Sequence, residues 1–328
     1  MLKLGRSKST PAAAQLIALS GLTNSFEEAA ERKLAKMSGL RVSDSTVQRV
    51  TENAGQRLAQ LLAEDDFVVD QQHWQWHVDA RGQTCAYISL DHTGVRQQAA
   101  GGGSAEGRMV AVGMVYNPNG RGTQVGQRRY VAGLHSLEEL GRQLRCQAQQ
   151  VGLHRAEQWI VLTDGANGFE QLIERDFPLA QAILDFWHAA EHAAELARAA
   201  HPADESAFTE LHQRWRHKLK HEGGWALLAE WEQMELTGAS LALREAHAEQ
   251  TRYFRNNVHR MDYPSYLANG WRIGSGPVEA ACKTVVGQRL KGTGMRWREA
   301  GTDSVAHLRA LYLSEPILWE AFWKDHPN

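Results

Sequence analysis

The sequence is poor in cysteine, nearly free of net charge, and without a long apolar run. Its three cysteines, Cys85, Cys146 and Cys282, are far apart and form no C-x-x-C pair. That excludes a disulfide framework and a cysteine zinc ribbon, and makes a reducing, cytoplasmic setting the expectation. No stretch approaches the roughly 18 apolar residues of a membrane helix, and the opening MLKLGRSKSTPAAAQLIALSG holds only a short apolar run, so neither a membrane span nor a signal peptide is expected. The 36 Lys and Arg residues nearly balance 38 Asp and Glu, for a formal charge of −2. No strong global field therefore attracts nucleic acid, and a DNA-binding surface has to be a local basic patch. No internal repeat stands out. The 328 residues are long for one domain and comfortable for one domain with an insertion.

What is present begins with helical patterning. Residues 1–25 are loosely patterned. From Phe26, Ala30, Leu34 and Met37 recur at helical spacing, with Gly39 as a stop. Ser43 is placed to cap a second helix, and helix, Gly turn, helix, with Ser45, Thr46, Gln48 and Arg49 near the second start, has a helix-turn-helix outline; plain packing gives the same pattern. From Gln72 the period becomes that of strands. HWQWHVDA alternates, and Tyr87, Ile88 and Leu90 form a β-rich run expected to stop at Asp91. Residues 97–107 read as a glycine-rich loop. Further strands are expected at Met109–Asn117, in QRRYVAGLH after a PNGRG turn, at Trp159–Leu162 and at Ala182–Leu184. Helices are expected over Leu137–Val151 and FEQLIERDF. Residues 186–260 are almost wholly helical in pattern, with Trp215, Trp225 and Trp231 as core anchors. This order predicts an α/β protein with a mixed sheet covered by helices.

Three carboxylates stand out. Asp91 and Asp164 each follow an apolar strand and precede small or polar turn residues, and strand ends are where α/β sheets build sites. Either one alone is also an ordinary turn residue. Glu279 lies in the stretch NGWRIGSGPVEAACKTVVGQRLKGTGMRWR. Ser275 is a potential helix cap, Pro277 suits a first turn, and the helix dipole favours an ionised Glu279 near that end. Lys283 shares its face, and the basic, aromatic-containing run Arg289, Lys291, Arg296, Trp297, Arg298 follows. A capped surface helix with one ion pair is the plain alternative. Three converging carboxylates would make a hard-oxygen site for Mg²⁺ or Mn²⁺, suited to two-metal phosphoryl transfer. Tyr253, Arg255, Asn256, Asn257, His259 and Arg260 form a second polar cluster compatible with DNA or with a surface loop.

The stretches YISLDHTGV, VLTDGANGF, ILDFWHAAEHAAEL and NGWRIGSGPVEAACKTVVGQRLKGTGMRW resemble bacterial insertion-sequence transposases of the DDE type, most closely the ISKra group. The last stretch is the most specific, and the resemblance runs from about Gly21 to Phe322. It implies an RNase H-like α/β core with an all-helical insertion: a helical, helix-turn-helix-like region at 1–70, core at 71–185, insertion at 186–268, and core with the glutamate helix at 269–328. By matching position, Asp91, Asp164 and Glu279 would be the catalytic and metal-ligating triad. Lys283, Arg289, Lys291, Arg296, Trp297 and Arg298 would contact DNA. The implied activity is metal-dependent cleavage at transposon ends and strand transfer into target DNA, by a homodimer or larger assembly on DNA, in the cytoplasm at the nucleoid and away from membranes. The rivals are an RNase H-like nuclease without strand transfer and a truncated or domesticated DNA-binding remnant. Relatives carry an N-terminal cysteine-rich zinc ribbon that this sequence lacks. Asp185, with His188 and His192, resembles the D-x-x-H signature of several transposase superfamilies. A Zn²⁺ site, a buried hydrogen-bonded pair fixing the insertion, and a direct role at the scissile phosphate or a flipped base are the three readings of it.

Overall fold

The structure is a computed structural model that describes residues 10–67, 69–118, 125–166 and 168–325. In chain order, helix α1 (Pro11–Thr23) leads to α2 (Phe26–Glu28), which continues as a π-helix over Ala29–Ser38, and to α3 (Asp44–Ala63). Strands β1 (His77–Val78), β2 (Thr84–Gln98), β3 (Ser104–Pro118) and β4 (Val125–Gly133) follow, then α4 (Leu137–Gln150), β5 (Gln158–Thr163), α5 (Phe169–Asp176) and β6 (Ala180–Leu184). The remainder is helical: α6 (Phe186–Ala200), α7 (Glu205–Glu222), α8 (Gly224–Glu232), α9 (Leu241–Asn257), α10 (Tyr263–Ala268), α11 (Gly276–Ala281) running through a π-helix at Cys282–Gly287 into α12 (Gln288–Leu290), α13 (Glu299–Leu313) and α14 (Pro316–Asp325). The sheet is mixed, in the order β4-β3-β2-β5-β6 with β1 on β2. Among the described residues, no helix is long and apolar enough to cross a membrane.

The expected α/β class and mixed sheet are what the chain forms, with three local corrections. The strand expected to stop at Asp91 continues to Gln98, so Asp91 sits within β2. The loop expected over 97–107 shrinks to a turn at 99–103, because β3 already begins at Ser104. Residues 11–23, read as unpatterned, form α1, with Pro11 at its first position and Thr10 capping it through the Ala13 N–H at 3.3 Å. The PNGRG turn falls largely outside the described residues, which resume at Val125.

The chain divides into two compact units. The first comprises Met1–Gln75, Leu90–His154 and Pro277–Asn328; the second comprises Trp76–Ser89 and Arg155–Gly276. In the first, β3 and β4 pair antiparallel, from Ala111↔Gly133 to Tyr116↔Arg128. Two glycines allow the helices of this unit to approach closely. A Cβ on Gly21 would lie 2.2 Å from Thr51 Oγ1, so the α1 backbone rests on α3 side chains, and one on Gly55 would lie 2.0 Å from the Ser304 carbonyl oxygen, so α3 meets α13 at backbone range. Ile17, Ala29, Ala30, Leu34 and Val47 form one apolar cluster there, which packs the helices of the outlined helix-turn-helix-like region together. Ser45, Gln48 and Arg49 at the start of α3 remain exposed.

Two buried arginines tie this unit together through carbonyls rather than carboxylates. Arg309 donates to the Leu22 carbonyl at 2.5 Å, to that of Val285 at 2.7 Å, and to that of Thr284. Arg289 donates to the Gly21 carbonyl at 2.7 Å. Burial holds the pKa of each down to about 10, and both remain cations at neutral pH.

His135 stacks edge-on with His307 at 4.7 Å in this unit. Burial, then the His307 charge, holds its pKa down to about 4 from an ordinary 6.5. The unfolded chain binds that proton near pH 6.5 and the folded chain does not. Stability is therefore full above about pH 6.5 and falls as pH drops toward about 4. Urea melts across that range are expected to show this loss, and His135→Gln to flatten it.

In the second unit, β5 and β6 pair in parallel, from Trp159↔Ala180 to Thr163↔Leu184, with α5 as the crossover. Helices α6 to α10 close over Trp215 and Trp231, whose rings meet edge-on at 5.5 Å, and Phe254 packs against Trp231 at 4.4 Å. Trp225, expected in this core, is instead 66% exposed. The break at Gly223, whose φ of +88° few side chains tolerate, ends α7 and resets the helical phase before α8.

Candidate active site

In the first unit the structure brings Asp91 and the glutamate helix together. The His92 N–H donates to Asp91 Oδ1 at 2.6 Å, and the Cys282 thiol reaches Asp91 Oδ2 at 3.4 Å. Cys282 lies three residues after Glu279, one helical turn along. Burial, then the Asp91 charge, pushes the Cys282 thiol pKa far up; Lys291 opposes this and Glu279 adds to it. The thiol is therefore neutral, and both carboxylates bear on it. Asp91 is half-buried and Glu279 is exposed. Nothing in the sequence singled out Cys282, because its role is a contact with a strand 191 residues away.

The segment beyond the helix is fastened back onto the strand that carries Asp91. The Trp297 N–H donates to the Arg96 carbonyl at 3.1 Å, and the Gln98 N–H donates to the Trp297 carbonyl at 2.7 Å. Lys291 Nζ donates to Thr93 Oγ1, two residues from Asp91. Of the six residues expected to contact DNA, Lys283, Lys291, Arg296 and Arg298 are exposed. Arg289 and Trp297 are not, at 2% and 7% exposure. The Arg289 guanidinium lies over Phe26 at 4.4 Å and Trp297 at 4.8 Å. This cation–π packing, with the bond to Gly21, gives both residues a structural role, so the DNA-contact expectation narrows to the four exposed cations. A cleft of about 710 Å³ is lined by Arg296 and Arg298 of these four, together with Phe26, Glu52, Arg289 and Trp297 among others.

In the second unit, Asp164 follows β5 and Asp185 follows the parallel β6, one residue beyond the pair Thr163↔Leu184. The Asp185 N–H donates to the Thr163 carbonyl at 2.8 Å, which fixes the two strand ends side by side. Asp164 Oδ1 accepts from the Ala166 N–H at 3.0 Å, closing its turn; Asn167 lies outside the described residues. Asp185 is 4% exposed. It caps α6 by accepting from the His188 N–H at 3.0 Å, and its other oxygen accepts from the Ser275 N–H at 2.9 Å. This one carboxylate joins the start of the helical block to the chain just ahead of α11. The His188 and His192 rings meet edge-on at 4.9 Å, and His192 Nδ1 pairs with Gln250 Oε1 at 2.6 Å.

Tyr253 completes this corner. Its ring stacks on His192, with centroids 3.6 Å apart and 20° between planes. A Cβ on Gly165 would lie 2.0 Å from the Tyr253 hydroxyl oxygen, so only glycine fits next to Asp164. Burial pushes the phenol pKa up; Arg260 opposes this, and Asp164 and Asp185 add to it. Of the other residues in the polar cluster, Arg260 and Asn257 are buried and bonded to each other, Arg255 pairs with Glu232 at 2.8 Å, and His259 pairs with Glu170 at 2.6 Å.

Among the described residues, no group of three or more His, Cys, Asp or Glu side chains is gathered to hold a metal ion by itself. The carboxylates occur in twos: Asp91 with Glu279, and Asp164 with Asp185. That donor set fits Mg²⁺ or Mn²⁺ in kind, since Mg²⁺ keeps several waters and is held by one or two carboxylates together with substrate phosphates. No cysteine joins His188 and His192, and His192 is engaged by Gln250 and Tyr253. Neither a scan against protein-family models nor a search of curated proteins finds a match to this chain.

Proposed function

We propose that this protein is a DDE-type transposase with an RNase H-like core, in which Asp91, Asp164 and Glu279 supply carboxylate oxygens to Mg²⁺ or Mn²⁺. The observation that carries the reading is the seating of the glutamate helix on the Asp91 strand through Cys282. A surface helix with a decorative acid has no need of that contact. A bound divalent cation would supply Lewis-acid stabilisation of a phosphoryl oxygen and activation of a water or 3′-hydroxyl. The protein's own part is to orient. Asp91 is steadied by the His92 N–H and the neutral Cys282 thiol. Asp185 fixes the strand end next to Asp164. Lys283, Lys291, Arg296 and Arg298, which are exposed, would hold the DNA backbone. Their contacts are electrostatic and independent of base sequence, so DNA affinity is expected to fall steeply with salt.

The test is a strand-transfer assay on duplexes carrying the DNA that flanks the gene, with Mg²⁺ or Mn²⁺ and Asp164→Asn as the control. Metal-dependent joined product that the substitution abolishes is the expected result. Nicking without joining would replace this reading with an RNase H-like nuclease. DNA binding without any reaction would leave a DNA-binding remnant.

A further inference from the structure

The Tyr253 hydroxyl is anomalous. Its oxygen is buried from solvent and has no hydrogen-bond partner among the described residues. A buried hydroxyl without a partner costs about 1–3 kcal/mol, so a residue that only had to pack would be better as phenylalanine. Stacking on His192 explains the ring and not the oxygen. The hydroxyl is held against Gly165, the neighbour of Asp164, at a range that a Cβ there would forbid. Of the two carboxylates at this corner, Asp185 already accepts from two backbone N–H groups, one on each oxygen. Among the described residues, Asp164 has a single such donor, at Oδ1. The acceptor with capacity to spare is Asp164.

We propose that Tyr253 is a positioning residue for Asp164, its hydroxyl donating to the Asp164 carboxylate when that carboxylate takes up a divalent cation. This rests on the reading of Asp164 as a metal ligand. Carboxylates that hold metals are themselves hydrogen-bonded, and losing such a partner typically costs about 10–100-fold in metal affinity or activity. An orphaned donor is then stability given up for a preformed outer contact.

The experiment compares wild type, Tyr253→Phe and Asp164→Asn in the full chain, with Mn²⁺ alone as the probe. Free Mn²⁺ is followed by electron paramagnetic resonance and stability by thermal melts without metal. For Tyr253→Phe the expected result is an unchanged or higher Tm together with Mn²⁺ affinity about 10–100-fold weaker. A structural role predicts the opposite on both counts. A lowered Tm, or Mn²⁺ affinity equal to wild type, overturns the inference and leaves the transposase reading standing. Wild-type protein that binds no Mn²⁺ at all overturns both. Wild type that binds Mn²⁺ no better than Asp164→Asn overturns Asp164 as a ligand, and the inference with it.

Discussion

Asp91→Asn is expected to lower metal-dependent DNA joining by on the order of a thousandfold while leaving the fold intact. A bound ion contributes several kcal/mol of transition-state charge stabilisation, and about 4 kcal/mol corresponds to that factor. Asparagine keeps the size and one acceptor oxygen, so the 2.6 Å bond from the His92 N–H survives. The amide NH₂ then faces Cys282 Sγ, a weak acceptor. What is lost is the charge. Glu279→Gln is expected to act as strongly, and with still less effect on stability because Glu279 is exposed. Single-turnover joining and thermal melts on both variants check this. Joining within about tenfold of wild type, well short of the factor above, would remove Asp91 from the chemistry.

Arg309→Met is expected to destabilise the first unit by about 3 kcal/mol or more. Methionine fills much of the volume but leaves the carbonyls of Leu22, Thr284 and Val285 without their donor, in a place where the arginine is only 4% exposed. Each buried polar group left unpaired costs about 1–3 kcal/mol, and the costs overlap because the three share one site. Arg309→Lys should recover only part of the loss, since an ammonium is a point donor and the three carbonyls are met by a planar fork. Chemical denaturation measures the difference. Equal stability of Arg309→Met and wild type would mean that water replaces the guanidinium. Thr284 and Val285 lie in the π-helix that follows Glu279, so the same substitution should also depress joining.

Much of this was legible in the sequence where the signal is local. The apolar run Trp159–Leu162 closing on Asp164 is a strand because β-branched and aromatic residues meet a glycine-rich turn. Ser43 caps its helix as read from the sequence, accepting from the Thr46 N–H at 3.2 Å. Where tertiary pairing decides, local signals failed. His92, Thr93 and Gly94 look like a turn, yet β2 and β3 run 15 residues each and their pairing draws those residues into a strand. Arg289 and Trp297 have the composition of a nucleic-acid surface. Packing on Phe26, more than 260 residues away, together with the bond to the Gly21 carbonyl and the pairing of Trp297 with Arg96 and Gln98, turns them inward. The Tyr253 stack on His192 likewise joins α9 to α6 and leaves no periodicity to find.

The π-helix at Cys282–Gly287 carries its own consequence for sequence change. The Gln288 N–H reaches back five residues to the Lys283 carbonyl instead of four. One residue more than an α-helix needs is therefore stored between Glu279 and Arg289. Losing one residue there would yield an ordinary α-helix with its two ends in nearly the same phase, because the stored residue is spent within a single turn. With Arg289 still stacked between Phe26 and Trp297, Glu279 would keep its side of the helix. A one-residue insertion has no such store to draw on and would turn one end by about 100° against the other. The segment therefore tolerates the loss of a residue better than the gain of one.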